Sequence, residues 1–237
     1  MRLEGPWLEG RLLRRYKRFL ADVELSDGRR ITAHTPNTGS LKGCAEPGMR
    51  VWLRDTGDPK RKYRHSWELV EVRPGVLVGI HTGLSNRLVR EAIAAGRVAS
   101  LQGYDSIRSE VRYGRERSRI DLLLEAEGRP PCYVEVKNVT LVEDGIAAFP
   151  DAVSTRGQKH LRELAEMARQ GRRAVIFFCI QRRDAREMRP ADAIDPVYGR
   201  TLREALAAGI EAVAMTAVVS PERIELQAEV PVVCPPL

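Results

Sequence analysis

The chain has 237 residues, 43% hydrophobic and 30% charged, which suits a packed soluble protein of one large or two small domains. The longest clear apolar run, Val175–Ile180, is the length of a buried strand and far short of the roughly 20 residues of a membrane helix. Net charge is +7, but residues 1–80 hold 16 Lys/Arg against 10 Asp/Glu, while the remainder hold 23 against 22. A general preference for Arg, with only 6 Lys among the 39 basic residues, would spread evenly, so the excess in the first third points to a polyanion partner there.

The N-terminus, MRLEGPWLEG, lacks the apolar region of a secretion signal, so the expected location is the cytoplasm. The four cysteines, Cys44, Cys132, Cys179 and Cys234, form no CxxC pair and give no zinc spacing. Cys132 and Cys179 lie in strand-like runs and are expected as buried thiols.

The first elements are short strands: Gly10–Tyr16, then Arg18–Leu25 with alternating apolar residues, a turn at Asp27-Gly28, and Arg29–His34. After a polar loop, Pro36–Gly43, come Met49–Arg54 and His65–Val72. Five short strands without a helical pattern suggest a small OB-like β-barrel. Arg11, Arg14, Arg15, Lys17 and Arg18 surround Tyr16 and Phe19, and Lys60, Arg61, Lys62 and Arg64 surround Tyr63. Cations for phosphates and aromatic rings for bases are the equipment of a barrel that binds nucleic acid, so these residues are candidate DNA contacts. The loop His34–Ser40 could meet phosphate through backbone and hydroxyl groups, with Gly39 supplying a positive φ.

The pattern changes near residues 80–85, which divides the chain into an expected barrel at 1–82 and an α/β domain at 83–237. Ser85-Asn86 caps a predicted helix through Ala95, ended by Gly96. Strands follow at Glu110–Tyr113, Ile120–Glu125 and Tyr133–Leu141, then a helix from Thr155 to Gln170 and a continuously apolar strand, Val175–Ile180, suited to the centre of a sheet covered on both faces. A helix near Thr201–Ala208 and strands at Glu211–Val219 and Ile224–Ala228 complete the domain.

The segment SRIDLLLEAEGRPPCYVEVKNVTLV reads as a hairpin about the turn Glu127–Pro131. Glu135 and Lys137, two apart on one strand, leave the same face, and Asp121 lies opposite. Two carboxylates that would repel one another suit a hard divalent cation, Mg²⁺ or Mn²⁺, with the carbonyl of Val136 as a further ligand. Such a cation activates water and polarises a phosphodiester, and Lys137 can balance charge at phosphorus. A surface salt bridge between Glu135 and Lys137 is the alternative. Glu91, on the preceding helix, is a further metal-ligand candidate. Glu110, Gln158, Lys159, His160, Gln181 and Arg182 are candidates to line the cleft, Gln158, Lys159 and His160 because they stand near a helix N-terminus, which favours phosphate.

The segments RYKRFLADVEL, HTPNTGSLKGC, NRLVREAI, YGRERSRIDLLL, YVEVKNVTLVEDGIAAFPDAVSTRGQKHLREL and PADAIDPVYGRTLREAL resemble, in order, the sugar fermentation stimulation protein family (SfsA), over about residues 14–230. The resemblance implies an OB-like N-terminal domain and a PD-(D/E)XK nuclease-like α/β domain with a mixed central sheet. It places the nuclease pattern on Asp121, Glu135 and Lys137. It also implies DNA binding without strong sequence preference and a regulatory link to sugar (maltose) metabolism, but no settled catalytic activity. Arg115-Glu116-Arg117 makes the turn before Ser118 longer than the family pattern leads one to expect. Three readings stay open: a DNA-binding protein with a nuclease-type metal site, an active Mg²⁺- or Mn²⁺-dependent nuclease, and a catalytically silent binding module.

Overall fold

The computed structural model describes residues 1–114 and 118–236, so the turn at Arg115-Glu116-Arg117 lies outside the described residues. Six strands make the first sheet: β1 (Trp7–Tyr16), β2 (Leu20–Leu25), β3 (Arg30–His34), β4 (Arg50–Asp55), β5 (His65–Arg73) and β6 (Val76–Gly79). Their order is β3-β2-β1-β4-β5-β6, and a parallel bridge from His34 to Ser66 joins β3 to β5. That bridge closes the sheet into the OB-like barrel expected from the sequence. Alternating residues such as Leu12, Val23, Val51, Trp67 and Val78 fill its interior. The sixth strand, Val76–Gly79, is additional to the five read from the sequence.

The helix α1 (Ser85–Ala94) follows, then β7 (Ser106–Tyr113), β8 (Ser118–Glu125) and β9 (Cys132–Val139). Next come β10 (Val142–Glu143), β11 (Ile146–Phe149), α2 (Thr155–Arg169), β12 (Arg173–Ile180) and β13 (Glu187–Pro190). The chain ends with α3 (Pro196–Ala207), β14 (Glu211–Val219) and β15 (Ile224–Val230). The second sheet has the order β15-β14-β12-β9-β8-β7. Its centre, β9-β12-β14, is parallel and its edges are antiparallel, so the sheet is mixed as expected. A small third sheet, β10-β11-β13, has no counterpart in the sequence reading.

The apolar run of β12 sits at the centre for the reason its composition suggests. Val175, Phe177 and Cys179 pack towards α1, while Ile176, Phe178 and Ile180 pack towards α2 and α3. Cys132 and Cys179 are buried and unbridged, and burial pushes both thiols up to about 12. Among the described residues, no helix is long and apolar enough to cross a membrane.

The two sheets share a core. Trp52 and Leu69 of the barrel join Leu88, Val134 and Phe177 in one apolar cluster. Polar contacts reinforce it: Gly79 N donates to the Gln181 carbonyl at 2.9 Å, and Arg182 Nη1 donates to the Thr140 carbonyl at 2.9 Å while lying within 4.0 Å of Cys44 Sγ.

Candidate functional site

The antiparallel ladder between β8 and β9 stops at the pair Leu122–Val134. One residue further on, the side chain of Asp121 takes over from the backbone, and its Oδ2 accepts from Val136 N at 2.7 Å. In a strand the N–H and C=O of one residue leave on the same side, so the Val136 carbonyl also faces Asp121. Asp121 Oδ1 accepts from Asn86 Nδ2 at 2.8 Å, and that amide also stands 3.4 Å from Glu110 Oε1. On β7, Ser109 pairs with Leu122 and Val111 with Ile120, which sets Glu110 opposite Asp121. Glu110 has φ +57°, a left-handed conformation that is costly for a residue with a Cβ and that recurs at functional sites.

Glu135 and Lys137 share the α2 face of β9 and are both buried. Lys137 Nζ donates to Glu135 Oε1 at 2.7 Å. His160 Nδ1 contacts the same oxygen and lies 3.2 Å from Nζ. Arg156 Nε donates to His160 Nε2 at 3.3 Å, so Nε2 must accept and the ring proton sits on Nδ1, aimed at Glu135. The surface salt bridge weighed from the sequence is therefore a buried one. Burial and the charge of Glu135 push the Asp121 carboxyl up to about 6, whereas Lys137 and His160 hold Glu135 below the usual carboxylate range against its burial.

A divalent cation suits this donor set. Glu135 Oε2 is buried without a hydrogen-bond partner among the described residues, and the two carboxylates raise one another's cost of ionisation. Among the described residues no third His, Cys, Asp or Glu completes a cage. Two carboxylates, a carbonyl and water are a familiar set for Mg²⁺.

Two cavities flank this centre. One, of about 370 Å³, is lined by Arg119, Arg156, Lys159 and His160 together with Glu110 and Asp121. The other, of about 310 Å³, lies between the domains and is lined in part by Asn86, Val136 and Lys137.

Several expected residues fall elsewhere. Glu91 is not at the centre: its carboxylate pairs with the Met1 amine at 3.0 Å and with Arg87 at 2.9 Å. The helical phase explains this, because Asn86, five residues earlier, is the α1 side chain that faces Asp121. Ser85 and Asn86 do not cap α1; Ser85 Oγ donates to Asn138 Oδ1 instead. Gln158 turns away from the cleft to donate to Asp195, which caps α3. Gln181 and Arg182 stand at the domain junction, Gln181 donating to the His81 carbonyl and Arg182, held by Asp184 and Thr140, lying against Cys44.

In the barrel, Arg15 is not a free cation. Its guanidinium donates to the carbonyls of Asn37, Gly39 and Ser40 and holds that loop. Gly39 has no positive φ; an added Cβ would meet Asp151 Oδ2 at 2.8 Å, so it is close approach that requires glycine. Asp151 accepts from Leu41 N at 3.0 Å and thereby pins the loop from the other domain. Arg14 pairs with Asp22 at 2.8 Å and stacks on Tyr16, Arg11 donates to the Gly48 carbonyl, and Arg64 pairs with Asp55 at 2.6 Å. Arg61 lies 3.9 Å from Asp58, and Lys62 lies over Tyr63. Lys17 and Arg18 occupy the β1–β2 turn with positive φ and, like Lys60, are exposed; Phe19 beside them is 46% exposed.

Comparison with known proteins gives the family of both domains. Residues 13–80 match the SfsA N-terminal OB domain, and residues 83–223 match the sugar fermentation stimulation protein RE domain. The sugar fermentation stimulation protein homolog of Alkalilimnicola ehrlichii is 58% identical over 99% of this chain and 100% of its own. The homolog of Geobacter metallireducens is 61% identical over 98% of this chain and 100% of its own. The solved structure of Pyrococcus furiosus SfsA in complex with Ca²⁺ superposes with a TM-score of 0.86 at 31% identity, covering 98% of this chain and 99% of that one. The chain thus belongs to the sugar fermentation stimulation protein family.

Proposed function

We propose that this protein binds DNA with little sequence preference and holds a divalent cation, Mg²⁺ or Mn²⁺, at Asp121, Glu135 and the Val136 carbonyl, where it is equipped to hydrolyse a phosphodiester. The observation that carries the reading is half-buried Asp121 facing buried Glu135 beside buried Lys137, with Glu135 Oε2 lacking any partner among the described residues. Pyrococcus furiosus SfsA was solved in complex with Ca²⁺, which supports a hard-cation site in the relative and, by extension, here.

A bound cation would polarise the phosphodiester and make water a better nucleophile. The protein's own groups supply the rest. Asn86 and Val136 N orient Asp121, His160 Nδ1 and Lys137 both donate to Glu135, which holds the lysine in place, and Lys137 offers an N–H to charge developing on a phosphate oxygen. Arg119, Arg156 and Lys159 supply positive charge to the adjoining cavity. In the barrel, the exposed tip Lys17-Arg18-Phe19 combines cations with an aromatic ring. The division at residues 82/83 separates the two roles, and a regulatory role in sugar metabolism would act through this DNA binding.

The test is cleavage of single- and double-stranded DNA with Mg²⁺ or Mn²⁺, alongside calorimetric titration of the cation. Cation binding and cleavage, both abolished in Asp121→Ala, are the expected results. Cation and DNA binding without cleavage would reduce the protein to a binding module, and cation binding unchanged in Asp121→Ala would remove the site.

A further inference from the structure

We infer that the cavity between the domains receives the base of one unpaired nucleotide, so that the substrate is single-stranded or locally unpaired DNA. This rests on the nucleic-acid reading above and narrows it to a substrate class. The two cavities beside Lys137 differ in chemistry. The one at Arg119, Arg156 and Lys159 has more cations than carboxylates, Glu110 and Asp121 being its acidic members, and suits phosphate. The interdomain cavity has Lys137 as its cation, offset by Asp151, and otherwise presents amides, hydroxyls and an aromatic ring. Such a lining is poor for phosphate and good for the polar edge of a base.

Its donors are oriented. The Asn138 carbonyl oxygen accepts from Ser85 Oγ and Gln181 Nε2, which leaves the Asn138 amide hydrogens for a ligand. Thr38 and Thr140 contribute hydroxyls that donate or accept. Phe149 forms an apolar wall, its ring held by edge contact with Tyr198 at 5.2 Å. About 310 Å³ is at the small end of ligand sites, sufficient for a nucleoside and far too small for a duplex. Position points the same way. The roof, Asn37–Gly39, is the loop that Arg15 clamps, and Arg15 lies on β1 just before the Lys17-Arg18-Phe19 tip. A strand held at that tip would pass the roof on its way to Lys137, with its backbone on the cationic side and one base in the interdomain cavity.

The experiment measures binding of the full-length protein, with Ca²⁺ replacing Mg²⁺, to a short DNA strand, to the same sequence as a blunt duplex, and to strands carrying one abasic position moved along the sequence. The expected result is at least tenfold tighter binding of the single strand, and an abasic penalty of about tenfold confined to one position. Thr38 is exposed, so Thr38→Trp should fold, fill the cavity and abolish both effects. Equal affinity for strand and duplex, a flat abasic scan, or an unchanged Thr38→Trp would each overturn the inference while leaving DNA binding intact. No binding to any of these DNAs would overturn both this inference and the reading beneath it.

Discussion

The barrel and the α/β domain contain the same kinds of charged residue and use them in opposite ways. In the barrel most charge lies at the surface in local pairs, such as Arg14 with Asp22 and Arg64 with Asp55, and Glu68 is the fully buried charged residue there among the described residues. The second domain buries Glu135, Lys137, His160, Glu163, Arg182 and Asp195. Two aspartates show the contrast. Arg64 and Gly57 N hold half-buried Asp55 down to about 2, whereas desolvation and the charge of Glu135 push half-buried Asp121 up to about 6. Counting charges shows where positive charge is in excess, but it is the cost of burial that points to a candidate chemical centre.

Removing one member of each kind of pair breaks the comparison open. Glu135→Ala strands Lys137 in the interior and should lower stability by about 3–5 kcal/mol in denaturant unfolding. Glu24→Ala should leave the unfolding midpoint almost unmoved, because its pair with Arg30 is exposed and exposed ion pairs contribute little. Similar losses from the two variants would erase the distinction.

If the protein cleaves DNA, Lys137→Ala should slow cleavage by about 10²–10³ at saturating cation, the size of losing one transition-state donor. Cation affinity should hardly change, since an ammonium cannot ligate a cation. A variant that cuts as fast as the parent would refute this role.

Asp121 gives a pH test in metal-free protein. A carboxyl raised in the folded state favours folding when protonated, so its contribution is present below the unfolded value near 3.8 and is lost as pH rises through about 6. Asp121→Asn should therefore be more stable than the parent at pH 7–8, by on the order of 1–3 kcal/mol, with the gap closing towards pH 4. A gap that is constant across this range would show that burial of the charge is not the cause.

The smallest effect belongs to the barrel tip. Lys17→Ala with Arg18→Ala should reduce the salt slope of DNA binding by about 0.7–0.9 for each lost phosphate contact. Arg15→Ala should instead lower the melting temperature, because its guanidinium holds the 37–40 loop.

The Asp121, Glu135 and Lys137 constellation was legible because strand periodicity is 2 and a polar turn sets the register. His160 was only a candidate, since a helix reveals which residues share a face but not what that face meets. Glu91 was misplaced and Asn86 seen only as a cap, because short-range capping rules do not foresee a partner 35 residues away. Arg15 looked like its neighbours for a similar reason: the carbonyls that occupy it belong to a loop more than 20 residues on. The β10-β11-β13 sheet escaped because strands of two to four residues carry too little alternation to read.

The loop at 37–41 is fastened from one side by Arg15 and from the other by Asp151, above a core to which both domains contribute. A molecule joined in this way cannot open like a pair of jaws without unpicking its own interior. If the ligand is DNA, as proposed, any large rearrangement on binding falls to the polymer, which has to bend, fray or present an end before it can enter. Access to this centre would be governed by the local melting of the nucleic acid rather than by motion of the protein.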